Sequence, residues 1–205
     1  MQILVKPSVP DIDRFLAELK PNDNSTEFID GETHRKPIPQ GAAIYLQAKL
    51  WDEINAATPN PQHAIAYPNY RCSFGGWSIV PDLAVFLKNS PLCAPASVEP
   101  QPEVVHFHSS LPPICTQYPD WMIEILVPGQ DAIHTMRAVL HCLTHGTQMV
   151  WLLDLNNRLM FVFMPHKAPV EVKGNTCLPT PAGVNLALTV ENILEWIPTR
   201  TNRTF

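Results

Sequence analysis

Apolar and polar positions change period several times along this chain, and the changes outline its elements. Ile12, Phe15, Leu16 and Leu19 recur at helical spacing, which predicts a short helix over 11–20 before the polar run 21–26. EFIDGETHRKPIP (27–39) reads as a hairpin with Asp30-Gly31 at its turn. Gly41 to Ala57 contains no proline, and Ile44, Leu46, Leu50, Trp51 and Ile54 predict a helix that Thr58-Pro59-Asn60-Pro61 ends. A β-rich middle follows in AIAYP, YRCSFGG and SIVPDLAVFL. Segment 88–118, rich in Pro and Ser, reads as an insertion or long loop.

The second half is more regular. WMIEILV (121–127) is a nearly continuous apolar run, as expected for a buried strand. Residues 132–145 form a helix whose apolar face is predicted to be Ile133, Met136, Val139, Leu140 and Leu143, with Gly146 at its stop. MVWLLDL (149–155) and RLMFVFMP (158–165) predict a strand pair joined at Asn156-Asn157. VEVKG (170–174) adds a short strand, and a helix over 186–197 with Thr189 as a cap closes the chain. Helix, strands, helix, strands, helix predicts an α/β or α+β fold with a mixed, twisted sheet flanked by helices.

Composition narrows the function classes. The chain has 205 residues, 16% of them charged and 45% apolar, so one domain with a sizeable core is expected, not wholesale disorder. Fourteen Lys+Arg against 19 Asp+Glu leave a net charge of -5, which argues against a broadly basic nucleic-acid surface but allows a local one. Arg35, Lys36, Arg71 and Arg137 are the candidates for such a patch. The cysteines Cys72, Cys93, Cys115, Cys142 and Cys177 are an odd, scattered set without CxxC, expected to be reduced thiols of a cytoplasmic protein. No signal peptide and no membrane span are expected. The absence of GxGxxG, Walker and GxSxG patterns argues against dinucleotide, NTP-hydrolase and serine-hydrolase readings.

The informative residues are acids set in apolar strands: Asp82 in Ile79–Phe86 and Glu124 in Trp121–Val127. A buried carboxylate is costly unless it is paired, hydrogen-bonded or bound to a metal. Two on neighbouring strands would repel, and a hard cation such as Mg²⁺ or Mn²⁺ would relieve both. The structural alternative is an acid at a strand end near solvent, or one paired with an arginine. His141 and His145 lie four apart on the predicted helix, near zinc-ligand spacing, but without the Glu of HExxH. With His134 and Arg137 they are read instead as a solvated or interface face. His106-Phe107-His108 falls in the long loop, and the five tryptophans are read as core packing.

Taken together, EFIDGE (27–32) with its KPIP, GGWSIVPDLAVF (75–86), PDWMIEILVP (119–128) and LHCLTHGTQMVWLLDLNNRLMFVF (140–163) resemble the Uma-type restriction-endonuclease family. That family lies within the PD-(D/E)XK nucleases. The resemblance spans most of 26–197. It implies a restriction-endonuclease-like domain over 26–205, with 1–25 as an appendage, and metal-dependent phosphodiester hydrolysis on DNA. It places Asp82 and Glu124 as metal-binding and catalytic acids, the Ile125 carbonyl as a further ligand and Mg²⁺ (or Mn²⁺) as the cofactor. Leu126 stands where the superfamily has its lysine. The following helix, where Uma-type members carry theirs, offers Arg137 beside Ala138. Arg137 is therefore the expected contact to the scissile phosphate, although arginine is a poor proton carrier. Glu27 is expected to support the metal through water or to meet substrate, and Gln47 to orient substrate. A homodimer is expected, because cutting both strands of a duplex calls for two sites. The alternatives are a catalytically weakened relative acting as a binding module, and a structural domain whose acids are merely hydrogen-bonded.

Overall fold

The computed structural model of the chain describes residues 11–37, 39–57, 64–87, 90 and 112–197. Most of the 88–118 segment, with Cys93 and His106-Phe107-His108, lies outside the described residues. The chain order is α1 (Ile12–Glu18), β1 (Thr26–Ile29), β2 (Glu32–Arg35), α2 (Ala42–Ala57), β3 (Ala64–Pro68), β4 (Cys72–Phe74), β5 (Trp77–Ile79), β6 (Leu83–Leu87), β7 (Trp121–Leu126), α3 (Ala132–His145), β8 (Met149–Asp154), β9 (Leu159–Phe163), β10 (Val170–Val172) and α4 (Val190–Glu195). A mixed six-stranded sheet runs β10-β9-β8-β7-β6-β3, and a smaller antiparallel sheet runs β2-β1-β5-β4. This is the α/β architecture expected from the residue pattern.

The parallel pair β7–β8 is joined by α3, a right-sized crossover for adjacent parallel strands. Strand alternation then sends residues of β7 to two different cores. Trp121, Ile123 and Ile125 join α2 and α4 on one face, where the Trp121 and Trp151 rings meet edge-on at 4.6 Å. Met122, on the opposite face, joins Ile79, Ala138 and Cys142 between the sheet, α3 and the smaller sheet. Glu124 shares the face of Met122 by the period of two. The β1–β2 hairpin turns at Asp30-Gly31, both at positive φ, as its sequence predicts. Phe15 of α1 is buried and stacks on Phe28 at 5.1 Å, which fastens α1 to that hairpin.

One helix face differs from the sequence expectation. α3 buries Thr135, Ala138, Val139, His141 and Cys142, whereas Ile133 and Leu140 are 73% and 54% exposed. The small residues Ala138 and Cys142 let the helix approach the sheet closely. His141 is taken up by the smaller sheet: its ring lies flat on Trp77 at 4.2 Å, and its Nε2–H donates to the Phe74 carbonyl at 3.1 Å. The expected solvated histidine face is thus partly a packing face. α4 is also shorter than its pattern suggested, but Thr189 caps it in a reciprocal box with Asn192.

Candidate metal and nuclease site

Asp82 ends the run into β6, and Glu124 lies in β7. The antiparallel register pairs Leu83 with Ile123, so continuing it by one residue sets Asp82 directly opposite Glu124. Two carboxylates facing each other across adjacent strands repel. Both are almost wholly buried, at 1% and 3% exposure. The chain answers this with Lys36, the residue after β2. Its Nζ lies 2.9 Å from Asp82 Oδ1 and 2.7 Å from Glu124 Oε2, and it donates to the Val80 carbonyl at 2.8 Å. One ammonium therefore touches both acids, and they converge on one point.

A second ring of contacts holds these groups still. The Ile125 amide donates to Asp82 Oδ2 at 2.7 Å. Gln47 of α2 donates to the Asp82 carbonyl at 2.7 Å and to Asn69 at 3.0 Å. Glu27 of β1 is buried too. It accepts from the Val80 amide at 2.7 Å and from His134 Nε2 of α3 at 3.0 Å. The backbone at Val80 is thus pinned by Glu27 through its N–H and by Lys36 through its carbonyl. Glu27 and Gln47, expected at the substrate, spend the contacts described here on positioning the 80–82 turn.

The electrostatics follow from three buried acids around one lysine. Burial favours the neutral amine of Lys36, but the charges of Asp82, Glu124 and Glu27 outweigh it and raise its pKa. Burial pushes Glu124 well above the usual carboxylate range; Lys36 pulls it down, while Asp82 and Glu27 push it further up. Burial likewise acts to raise Glu27, but the hydrogen bond from His134 and the charge of Lys36 prevail, and its pKa is lowered. The site is short of positive charge.

That deficit, and one unsatisfied atom, fit a divalent cation. Asp82 Oδ1 is fully buried and has no well-directed hydrogen bond, although it lies in ion-pair range of Lys36. Among the described residues no trio of His, Cys, Asp or Glu side chains converges on one point. A cation here would rest on two carboxylates, a backbone carbonyl and water, a donor set that suits Mg²⁺. Lys36 would have to share or yield the place it now fills.

Arg137 lies elsewhere. It pairs with Asp30 at the hairpin turn, and its guanidinium stands 5.8 Å from the Trp77 ring centre. The structure brings Lys36, not Arg137, to the acids. Sequence spacing missed this because the lysine arrives from the hairpin, far from the acid in the chain. Ala138, beside Arg137, lines the same small cavity of about 90 Å³ as Lys36, Glu27, Glu124 and His134. The hairpin lysine therefore reaches a space bordered by the helix on which a lysine was sought.

Such a fold and acid pair define a restriction-endonuclease-like protein. The chain belongs to the Uma2 family, described as "Putative restriction endonuclease", whose model matches residues 12–191. It is similar to the crystal structure of a "putative nuclease belonging to DUF820" from Anabaena variabilis ATCC 29413, with 31% identity and a TM-score of 0.80. That match covers 92% of this chain and 99% of the other. No curated protein matches. Among the described residues no helix is long and apolar enough to cross a membrane.

Proposed function

We propose that this chain is a metal-dependent nuclease that hydrolyses phosphodiester bonds in DNA, with Asp82, Glu124 and Lys36 at its centre. The observation that carries the reading is the meeting of two buried, opposed carboxylates on a single ammonium. Mg²⁺ or Mn²⁺ held by Asp82, Glu124 and the Ile125 carbonyl would supply an activated water and offset phosphate charge. Asp82 keeps its direction because the Ile125 amide and Gln47 hold its side chain and its backbone. Lys36 now aims its three donors at Asp82, Glu124 and the Val80 carbonyl, so a cation taken up by the two carboxylates would release an N–H for a non-bridging oxygen of the scissile phosphate. Glu27, braced by His134, fixes the Val80 backbone against which Lys36 is aimed.

Lys36 also weighs against the binding-module alternative, whose main support was a missing lysine. A homodimer would set two such centres against the two strands of a duplex; sedimentation tests that assembly. The activity is tested by plasmid nicking in Mn²⁺ or Mg²⁺ with the wild type, Asp82→Asn and Lys36→Met. Loss of about 2.7 kcal/mol of transition-state stabilisation corresponds to about a 100-fold slower rate, the minimum expected for each variant. Nicking that survives Asp82→Asn unchanged refutes the assignment.

A further inference from the structure

Three thiols, those of Cys72, Cys115 and Cys142, are buried in the core between the large sheet, α3 and the smaller sheet. The nuclease site uses none of them. The backbone pairs two of the three, and we infer that Cys72 and Cys115 are a dithiol couple that a peroxide oxidises reversibly to a disulfide. The inference stands apart from the nuclease reading.

Backbone geometry sets the pair. Cys72 opens β4, and Cys115 meets it across a single parallel β-bridge. The Ser73 amide donates to the Cys115 carbonyl at 2.7 Å, and the Cys115 amide donates to the Arg71 carbonyl at 2.8 Å. These bonds straddle Cys72 and hold the two Cα atoms at one strand spacing, about 4.8 Å. Disulfides span Cα separations of about 4.4–6.8 Å. Both side chains are buried in the same core, and the Cys72 thiol is hydrogen-bonded to the Cys115 sulfur. Closure therefore asks for side-chain rotation and not for movement of the strands. β4 leads through β5 to Asp82, and the chain after Cys115 leads into β7 and Glu124, so the bond would tie together the two stretches that end at the acids.

The surroundings give the two sulfurs different parts. The hydrogen bond from Cys72 lowers the pKa of Cys115; burial opposes it, and the Gln117 amide, donating at 3.3 Å, assists. Burial raises Cys72, and the hydrogen bond to Cys115 adds to the rise. Burial also raises Cys142. The thiolate is the nucleophile, so Cys115 reacts first. Its chain neighbours Ile114 and Thr116 line open cavities of about 440 and 540 Å³, which bring solvent to within one residue of it. The Cys115 thiolate attacks hydrogen peroxide: an S–O bond forms, the O–O bond breaks, and the released hydroxide takes up a proton and leaves as water. The Cys72 sulfur then attacks the Cys115 sulfur: the S–S bond forms, the S–O bond breaks, and the hydroxyl leaves with the Cys72 proton as a second water. Two electrons pass from the sulfur pair to the peroxide.

The test uses the full chain carrying Cys177→Ser, which removes the exposed thiol among the described residues. The reduced protein is treated with hydrogen peroxide in EDTA at neutral pH. It is then digested without reductant by trypsin and a glutamate-specific protease, so that Cys93 and Cys115 fall on separate peptides. The expected result is the loss of two thiols, a peptide pair joined through Cys72 and Cys115, and the return of both thiols in dithiothreitol. The oxidised chain should also melt above the reduced one, because the cross-link restricts the unfolded state. In Cys72→Ser the first step has no partner to complete it, and dimedone should trap a sulfenic acid on Cys115. A bond from either residue to Cys93 or Cys142 overturns the inference. So does oxidation that dithiothreitol leaves in place, no loss of thiols, an oxidised chain that melts below the reduced one, or dimedone on Cys142 in place of Cys115. The peptide mapping keeps both residues of the pair intact, so it decides the matter even if Cys72→Ser fails to fold.

Discussion

Replacing Lys36 by methionine keeps much of the side chain's volume and removes its charge. In the wild type the ammonium touches both Asp82 and Glu124 and is buried with them. Removing one partner of a buried ionic group costs about 3–5 kcal/mol, because the partners stay buried without compensation. For a domain of this size each kcal/mol shifts the melting temperature by about 2–4 °C. Lys36→Met in EDTA near neutral pH is therefore expected to melt about 6–20 °C below the wild type. The raised pKa of Glu124 sets a trend within that range. Uptake of a proton there relieves the repulsion, so the deficit should shrink as pH falls and widen as it rises.

Calorimetry with and without Mn²⁺ completes the experiment. In the variant the acids face each other with no ammonium between them, so a divalent cation should stabilise it more than the wild type. An ion at about 100 times its Kd contributes about 2.7 kcal/mol. A variant that melts within 2 °C of the wild type in EDTA would refute the reasoning. So would a variant whose melting does not respond to Mn²⁺ at concentrations that stabilise the wild type.

Other outcomes follow from single contacts. Burial holds His141 down at about 4, with His145 acting in the same direction and the Phe74 carbonyl opposing; since its ordinary value is 6.5, its contribution is complete above about pH 6.5 and is lost as pH falls towards 4. A His141→Phe variant should accordingly flatten that part of the stability profile in acid melts. Asp23 is held at about 2, first by the Thr26 hydroxyl and then by the Ser25 amide, against an ordinary value of 3.8. Its contribution is present above that value and disappears as pH falls to about 2, and Asp23→Ala should cost about 1 kcal/mol in denaturant titrations at pH 7. Gly75 has φ +57, and a Cβ there would meet His145 Nε2 at 2.2 Å. Gly75→Ala should therefore destabilise by at least about 1–2 kcal/mol in the same assay.

Much of the fold was legible because its strands and helices carry clean periods. The Asp30-Gly31 hairpin, the β7–α3–β8 unit and the Thr189 cap lie where their residues put them. The α3 face was misjudged for a physical reason. Counting apolar residues favours Ile133 and Leu140, yet close packing on a sheet selects small ones, and Trp77 offers His141 a flat surface to stack on. Asp82 and Glu124 stood out because an acid in an apolar strand must be explained. Their convergence followed from register, which periodicity alone does not specify. Glu27 carried a similar signal between Thr26 and Phe28 in a strand; His134 carried none, because a polar residue on a helix is ordinarily solvated.

Lys36 shows why spacing was the weaker guide. An ammonium stabilises charge at a phosphate through its position in space, and the chain can deliver it from any element that ends near the acids. Here β2 ends beside the Val80 carbonyl, and Pro37 follows at once, a residue that holds its predecessor extended and carries the chain away from the sheet. Leu126, where the resemblance looked for a lysine, is on a strand, and Ala138, next to Arg137 on the helix that was the other expected source, packs against that strand's sheet. A lysine added at 138 would enter a cavity that already contains one, whose remaining carboxylates are engaged: Glu27 with Val80 and His134, and Asp131 with the amides of Ile133 and His134. Combined with Lys36→Met, however, Ala138→Lys would return one charge to the same acids from the helix side. Recovery of melting temperature in the double variant, and of nicking with it, would establish that the site requires an ammonium at this point whatever strand or helix provides it; a double variant no better than Lys36→Met would tie the function to the hairpin itself.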